Sequence, residues 1–170
     1  MAARLLPRTL PELYAHALVM ERDATKRFTI FAQCMREAGV DHLAEEFEQL
    51  AKEEREQYEL IAEGTAHAGL PEPMRWEYAW HFMGPAGDVV AAPQNVRDVL
   101  KLAISAERRT QTFYADVAEH AEDDAVSAFA AEMAADESRH IERLERLLGR
   151  EPEPVTLEDD EASTVVEPGR

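Results

Sequence analysis

The chain has 170 residues, of which 45% are hydrophobic, with only seven glycines and nine prolines. That length sets one domain as the expectation, and the composition favours helices over a fold built from turns and short strands. Asp and Glu number 35 against 18 Lys and Arg, a formal net charge of -17. Such a surface repels phosphate backbones and anionic lipid, so no nucleic-acid or membrane partner is expected, and metal cations become the natural ligands.

Thr9, with Glu12 three residues on and Pro11 in the first turn, starts a first helix through a capping box. That helix is expected to reach Ala38, with Gly39 as a left-handed cap. Asp41 is expected to cap a second helix ending near Gly64. Residues 65–94 form a long crossover with Trp76, Tyr78, Trp80 and Phe82, read as packed on the domain. Asn95 caps a third helix over 96–121, and Asp123 or Asp124 a fourth that stops at Gly149. Residues 150–170, with seven acids and two arginines, are Pro-rich and aperiodic, an expected disordered tail. Helices of roughly 25–29 residues joined two and two predict an all-α antiparallel four-helix bundle over residues 1–149, made of two hairpins.

The hairpins read as copies of one another. MERDATKRFTIFA aligns with AERRTQTFYADVA, setting Glu21 on Glu107 and Phe28 on Tyr114. LAKEEREQYELI aligns with MAADESRHIERL, setting Glu54 on Glu137 and Gln57 on His140.

Steps of three and four give each helix an apolar stripe. The stripes run Tyr14, Ala17, Glu21, Ala24, Phe28, Phe31, Met35; then Leu43, Phe47, Leu50, Glu54, Gln57, Ile61. On the third and fourth helices they run Leu100, Ala103, Glu107, Thr110, Tyr114, Val117, Ala121 and Val126, Ala130, Met133, Glu137, His140, Leu144, Leu147. Each stripe therefore carries one glutamate. An ionised carboxylate taken out of water must be paired, metal-bound or neutralised, and four together would repel one another. One divalent cation, or better two, resolves the conflict. Glu137 and His140 have the Glu-x-x-His spacing that places both on one face, and carboxylates with an imidazole suit iron or manganese.

These residues resemble the rubrerythrin branch of the ferritin-like superfamily over residues 10–63 and 95–148. The likeness rests on Glu21 in ERDATKRF, Glu54 in FEQLAKEE, Glu107 in AERRTQTFY, and Glu137 with His140 in AADESRH. It implies a centre of two iron ions, or iron and manganese, that reduces hydrogen peroxide or dioxygen or oxidises ferrous iron. Glu54 and Glu137 would bridge the ions, with Glu21 and Glu107 terminal and His140 on one ion. Where the family's second helix has histidine this chain has Gln57, open to two readings: a weak neutral ligand, or a substitute at a disabled position. Thr110 stands where rubrerythrins proper carry a further glutamate. Tyr114 occupies an aromatic position beside the site, and its hydroxyl can bond a ligand carboxylate.

Cys34 is the single cysteine, so neither a disulfide framework nor a rubredoxin-type Cys-x-x-Cys pair is present, and electrons would come from a separate donor protein. Cys34 itself reads as an inert small apolar residue, His16 and His81 as non-ligands, and charge runs such as KEERE as solvated faces apart from Glu54. The N-terminal segment lacks a long apolar run, which makes a soluble, cytoplasmic protein the expectation. A homodimer formed through the aromatic crossover is expected. The rival reading is a non-catalytic ferritin-like bundle with a weak or lost metal site, acting in partner binding or iron handling.

Overall fold

A computed structural model describes residues 6–71 and 95–153. Four helices account for nearly all of them: α1 (Leu10–Glu37), α2 (Asp41–Thr65), α3 (Val96–His120) and α4 (Asp124–Arg150). No strand occurs among the described residues. The longest, α1, has 28 residues, or about 42 Å of helix. The aromatic crossover residues and the acidic tail beyond Glu153 lie outside the described residues.

The helix boundaries follow from local chemistry. Thr9 and Glu12 form the expected capping box at the start of α1. Asn95 accepts from the Asp98 backbone at the start of α3, and the Asp123 side chain accepts from Ala125 N at 2.8 Å and Val126 N at 3.1 Å at the start of α4. At the other end of α1, Gly39 adopts φ +74°, Val40 N donates to Met35 O at 2.8 Å, and Gly39 N donates to Arg36 O at 3.0 Å. This is a Schellman closure, with Gly39 in the left-handed position that a side chain disfavours.

Two expected boundaries are corrected. Asp41 does not cap α2. Val40 occupies that position without a side-chain bond, because the residue that closes α1 also opens α2, leaving Asp41 as the first helical residue. Gly149 does not stop α4, which continues to Arg150. The Arg97 guanidinium donates to Leu148 O at 2.9 Å and Glu151 O at 2.7 Å, satisfying carbonyls at that end with a side chain from α3. Arg97 also pairs with Glu153, and His42 with Glu151 at 2.9 Å, so the first residues after α4 are tied to the bundle.

α1 packs along α2 and α3 along α4, and the two hairpins close on each other through α1. The hydrophobic core is divided in two. One part joins Phe28 and Met35 of α1 to Leu43, Phe47 and Leu50 of α2, Leu100 of α3 and Leu144 of α4. The other joins Leu13, Ala17 and Met20 to Ile61, Tyr114, Val117, Val126 and Met133. The C-terminal half of α1 meets the N-terminal half of α2, the mark of an antiparallel pair, and α3 and α4 pair likewise. Most of the expected stripe is buried, whereas Tyr14, Phe31, Gln57, Thr110, Ala121 and His140 are only partly buried. Among the described residues no helix is long and apolar enough to cross a membrane.

Candidate metal centre

Between the two apolar clusters lies a polar layer at mid-height of the bundle. Glu21, Glu54, Glu107 and Glu137, one from each helix, are all at most 3% exposed. They fall there because each occupies an inward position of an otherwise apolar stripe, so the packing that buries its neighbours buries the carboxylate too. The repeat seen in the sequence thus places its aligned glutamates in one layer.

Glu54, Glu107, Glu137 and His140 each direct a ligand atom into a common space, all within 4.8 Å of one another. His140 Nδ1 stands 2.9 Å from Glu54 Oε1, 3.6 Å from Glu107 Oε2 and 3.9 Å from Glu137 Oε2. These four atoms are buried and make no hydrogen bond. An unsatisfied buried polar atom costs roughly 1–3 kcal/mol, more when charged, so four converging on one point mark a site shaped for a cation. Three hard carboxylate oxygens and one imidazole nitrogen form a donor set that fits iron or manganese.

Glu21 lies against Glu54, and the buried Tyr114 hydroxyl donates to its Oε1 at 3.0 Å. The bond expected for Tyr114 is therefore present, and Phe28, its repeat partner, has no hydroxyl to offer. Gln57 reaches the same cleft, but its amide Nε2 donates to Met133 Sδ at 3.2 Å. Thr110 turns its hydroxyl to the Ala106 carbonyl. His16 is buried beside the Phe113 ring, and Cys34 is exposed. His81 lies outside the described residues.

Three contributors escaped the periodicity. Arg27, one face round from the α1 stripe, donates from Nη2 to Glu107 Oε1 at 2.8 Å. Glu53, expected on a solvated face, is half-buried with Oε2 3.3 Å from His140 Nε2. Arg143 donates to Glu53 Oε1 at 3.1 Å and to Glu46 Oε2 at 2.7 Å. The available sequence signal was weak: Arg143 follows His140 by one helical turn, and Glu53 is merely the neighbour of Glu54.

The electrostatics divide the layer. Burial pushes Glu107 up, but His140 and Arg27 outweigh it and bring the carboxyl down to about 2. Burial lowers His140, but the facing Glu107 and Glu54 carboxylates raise it to about 10. Glu21 is held well above the usual carboxylate range by burial and by Glu54, and Glu137 by burial and by Glu107, Glu54 and Glu21. Protons and the imidazolium therefore balance the layer in the absence of metal, and a divalent cation would displace them. A cleft of 570 Å³ opens onto the layer, with His140, Glu54, Gln57 and Met133 among its walls and Leu60 at its exposed rim.

Comparison with known proteins agrees with this architecture. The family profile described as Rubrerythrin matches residues 12–148. No curated protein matches. Among solved structures, the crystal structure of an uncharacterized conserved protein from Magnetospirillum magnetotacticum MS-1 at 2.00 Å is 27% identical, with a TM-score of 0.75 over 87% of this chain and 99% of that one.

Proposed function

The chain belongs to the rubrerythrin family, and from that membership and its buried donor cluster we propose that it is a metal-dependent oxidoreductase with a carboxylate-bridged centre. The observation that carries the reading is the convergence of four unpartnered ligand atoms, from Glu54, Glu107, Glu137 and His140, within 4.8 Å. Glu54 and Glu137 would serve two ions, with Glu107 and His140 holding one, and Glu21 with Gln57 or water the other. Bound iron, or iron with manganese, supplies the electrons for reductive O–O cleavage of hydrogen peroxide or dioxygen, or accepts those of ferrous iron as substrate.

The chain's own residues prepare that chemistry. Arg27 occupies Oε1 of Glu107 and leaves Oε2 for the metal. Tyr114 holds Oε1 of Glu21, fixing the carboxylate against rotation. The apolar clusters close the layer from above and below, and the cleft between α2 and α4 leaves one side open to a small oxidant. A separate protein would return electrons when peroxide or dioxygen is the substrate. The protein is proposed to act in the cytoplasm as a homodimer.

The Gln57 amide bonded to Met133 favours a second reading, in which the outer position is weak and the bundle handles iron or binds a partner without turnover. Metal analysis separates the two. Protein reconstituted anaerobically with ferrous iron should carry close to two ions per chain, develop oxo-bridged ferric absorption in air, and consume peroxide when supplied with a reductant. One ion per chain without peroxide consumption would select the second reading. No bound metal, with equal heat stability with and without iron, would overturn the oxidoreductase reading and leave a bundle that binds a partner.

A further inference from the structure

We propose that Glu53 is a positioning residue for the centre, holding the proton of His140 on Nε2 so that Nδ1 is presented to the metal; the inference rests on His140 being a ligand. A neutral imidazole carries one proton, and the nitrogen that binds metal must be the other one. His140 is bracketed by consecutive residues of α2. Glu54 Oε1 lies 2.9 Å from Nδ1 on the inner side, and Glu53 Oε2 lies 3.3 Å from Nε2 on the outer side. The Nδ1 side belongs to the unpartnered cluster, whereas the Nε2 side meets a carboxylate placed to accept its proton.

That acceptor is itself fixed. Gln49 Nε2 donates to Glu53 Oε1 at 2.9 Å and Arg143 Nη1 donates to the same oxygen at 3.1 Å, leaving Oε2 for His140. Arg143 is anchored in turn by Glu46, its Nε 2.7 Å from Oε2. A chain of contacts, Glu46 to Arg143 to Glu53 to His140, therefore runs between α2 and α4 along the outer edge of the metal layer. An imidazole without it would be free to rotate, or to carry its proton on the metal side. Outer groups that orient a histidine ligand are worth about 10–100-fold in metal affinity.

The test uses the full-length, metal-free protein titrated with Zn²⁺ against a chromophoric chelator. Glu53→Ala should weaken Zn²⁺ binding by about 10–100-fold, and Glu53→Gln by a clearly smaller factor, because the amide oxygen still accepts from Nε2. Glu56→Gln is the charge control. Glu56 stands on the same helix, 60% exposed and 3.6 Å from Lys52, and its variant should stay within about twofold of wild type, since an exposed charge is screened. In the Zn²⁺-loaded wild type, ¹H–¹⁵N spectra of His140 should show a metal-bound Nδ1 and a protonated Nε2. Wild-type affinity in Glu53→Ala, equal losses in all three variants, or a proton on Nδ1 would overturn the inference while leaving the metal centre standing. A wild-type protein that binds no Zn²⁺ would overturn the ligand reading of His140, and the inference with it. Circular dichroism on each variant checks that the helices are retained.

Discussion

At the residue scale, the four glutamates differ more in their partners than in their burial. Glu107 faces two cationic groups, His140 and Arg27, so Arg27→Ala removes one of them from a carboxylate with 1% of its side chain exposed. Arg27 itself is 23% exposed, which places the expected loss at about 2–3 kcal/mol, below the ~3–5 of a fully buried pair. Urea unfolding of the metal-free protein measures it, and a loss under about 0.5 kcal/mol, typical of exposed pairs, would mean the contact is solvated. Gln57 supports a second prediction. Gln57→His replaces a neutral amide bonded to sulfur with an imidazole, and should raise the affinity for the second ion by about 10-fold or more if position 57 faces the metals. Calorimetric titration with Co²⁺ reads this as a tighter second step. Unchanged binding would show that position 57 points elsewhere.

At the scale of the element, helix ends could be located from short motifs, but the assignment of a cap required the neighbouring turn. Asp41 and Asp123 look alike in sequence, each an acid opening an apolar-periodic stretch. Only Asp123 accepts from two backbone amides, at 2.8 and 3.1 Å, while Asp41 is a first-turn residue whose carboxylate lies 3.6 Å from exposed Arg36. Asp123→Ala should therefore cost about 1 kcal/mol and Asp41→Ala about 0.5 kcal/mol or less, as compared by chemical denaturation. Equal losses would return Asp41 to the capping role. The difference arises because Gly39 and Val40 close α1 so tightly that no residue remains to act as a separate cap.

At the scale of the whole molecule, the polar layer interrupts the core and makes stability depend on pH and metal together. Glu21 and Glu137 are raised above the ordinary carboxyl value of 4.5, so the folded state binds more protons than the unfolded one as pH rises past 4.5. Their contribution is present below that pH and lost as pH climbs through their folded values. His140, raised from 6.5 to about 10, contributes fully below 6.5 and loses that contribution toward 10. Glu107, lowered to about 2, acts in the opposite sense, contributing above 4.5 and losing it only in strong acid. The metal-free protein should accordingly lose thermal stability from about pH 5 to pH 9, while metal, which replaces the same protons, stabilises most at the upper end. Melting temperatures with chelator and with Co²⁺ across that range should diverge as pH rises. A constant gap would mean that protons and metal do not compete for the layer.

The helical class, the pairing of helices into two similar hairpins, the family and the four inward glutamates with His140 were legible in the order of the residues. Each is encoded by periodicity within one helix or by a motif only a few residues long, and such patterns survive without knowledge of the partner helix. Tyr114 was legible for the same reason, as an inward aromatic about two turns along the same stripe from Glu107. What surrounds those residues follows from how the helices pack. That Arg27 takes one oxygen of Glu107, that the Gln57 amide turns to Met133, and that Glu53 faces the far nitrogen of His140 depend on contacts across 80, 76 and 87 positions. Side chains on the shoulder of a helix have no period of their own. Their partners are chosen by the angle and offset at which α1, α2, α3 and α4 pack, and those come into being only when the bundle closes.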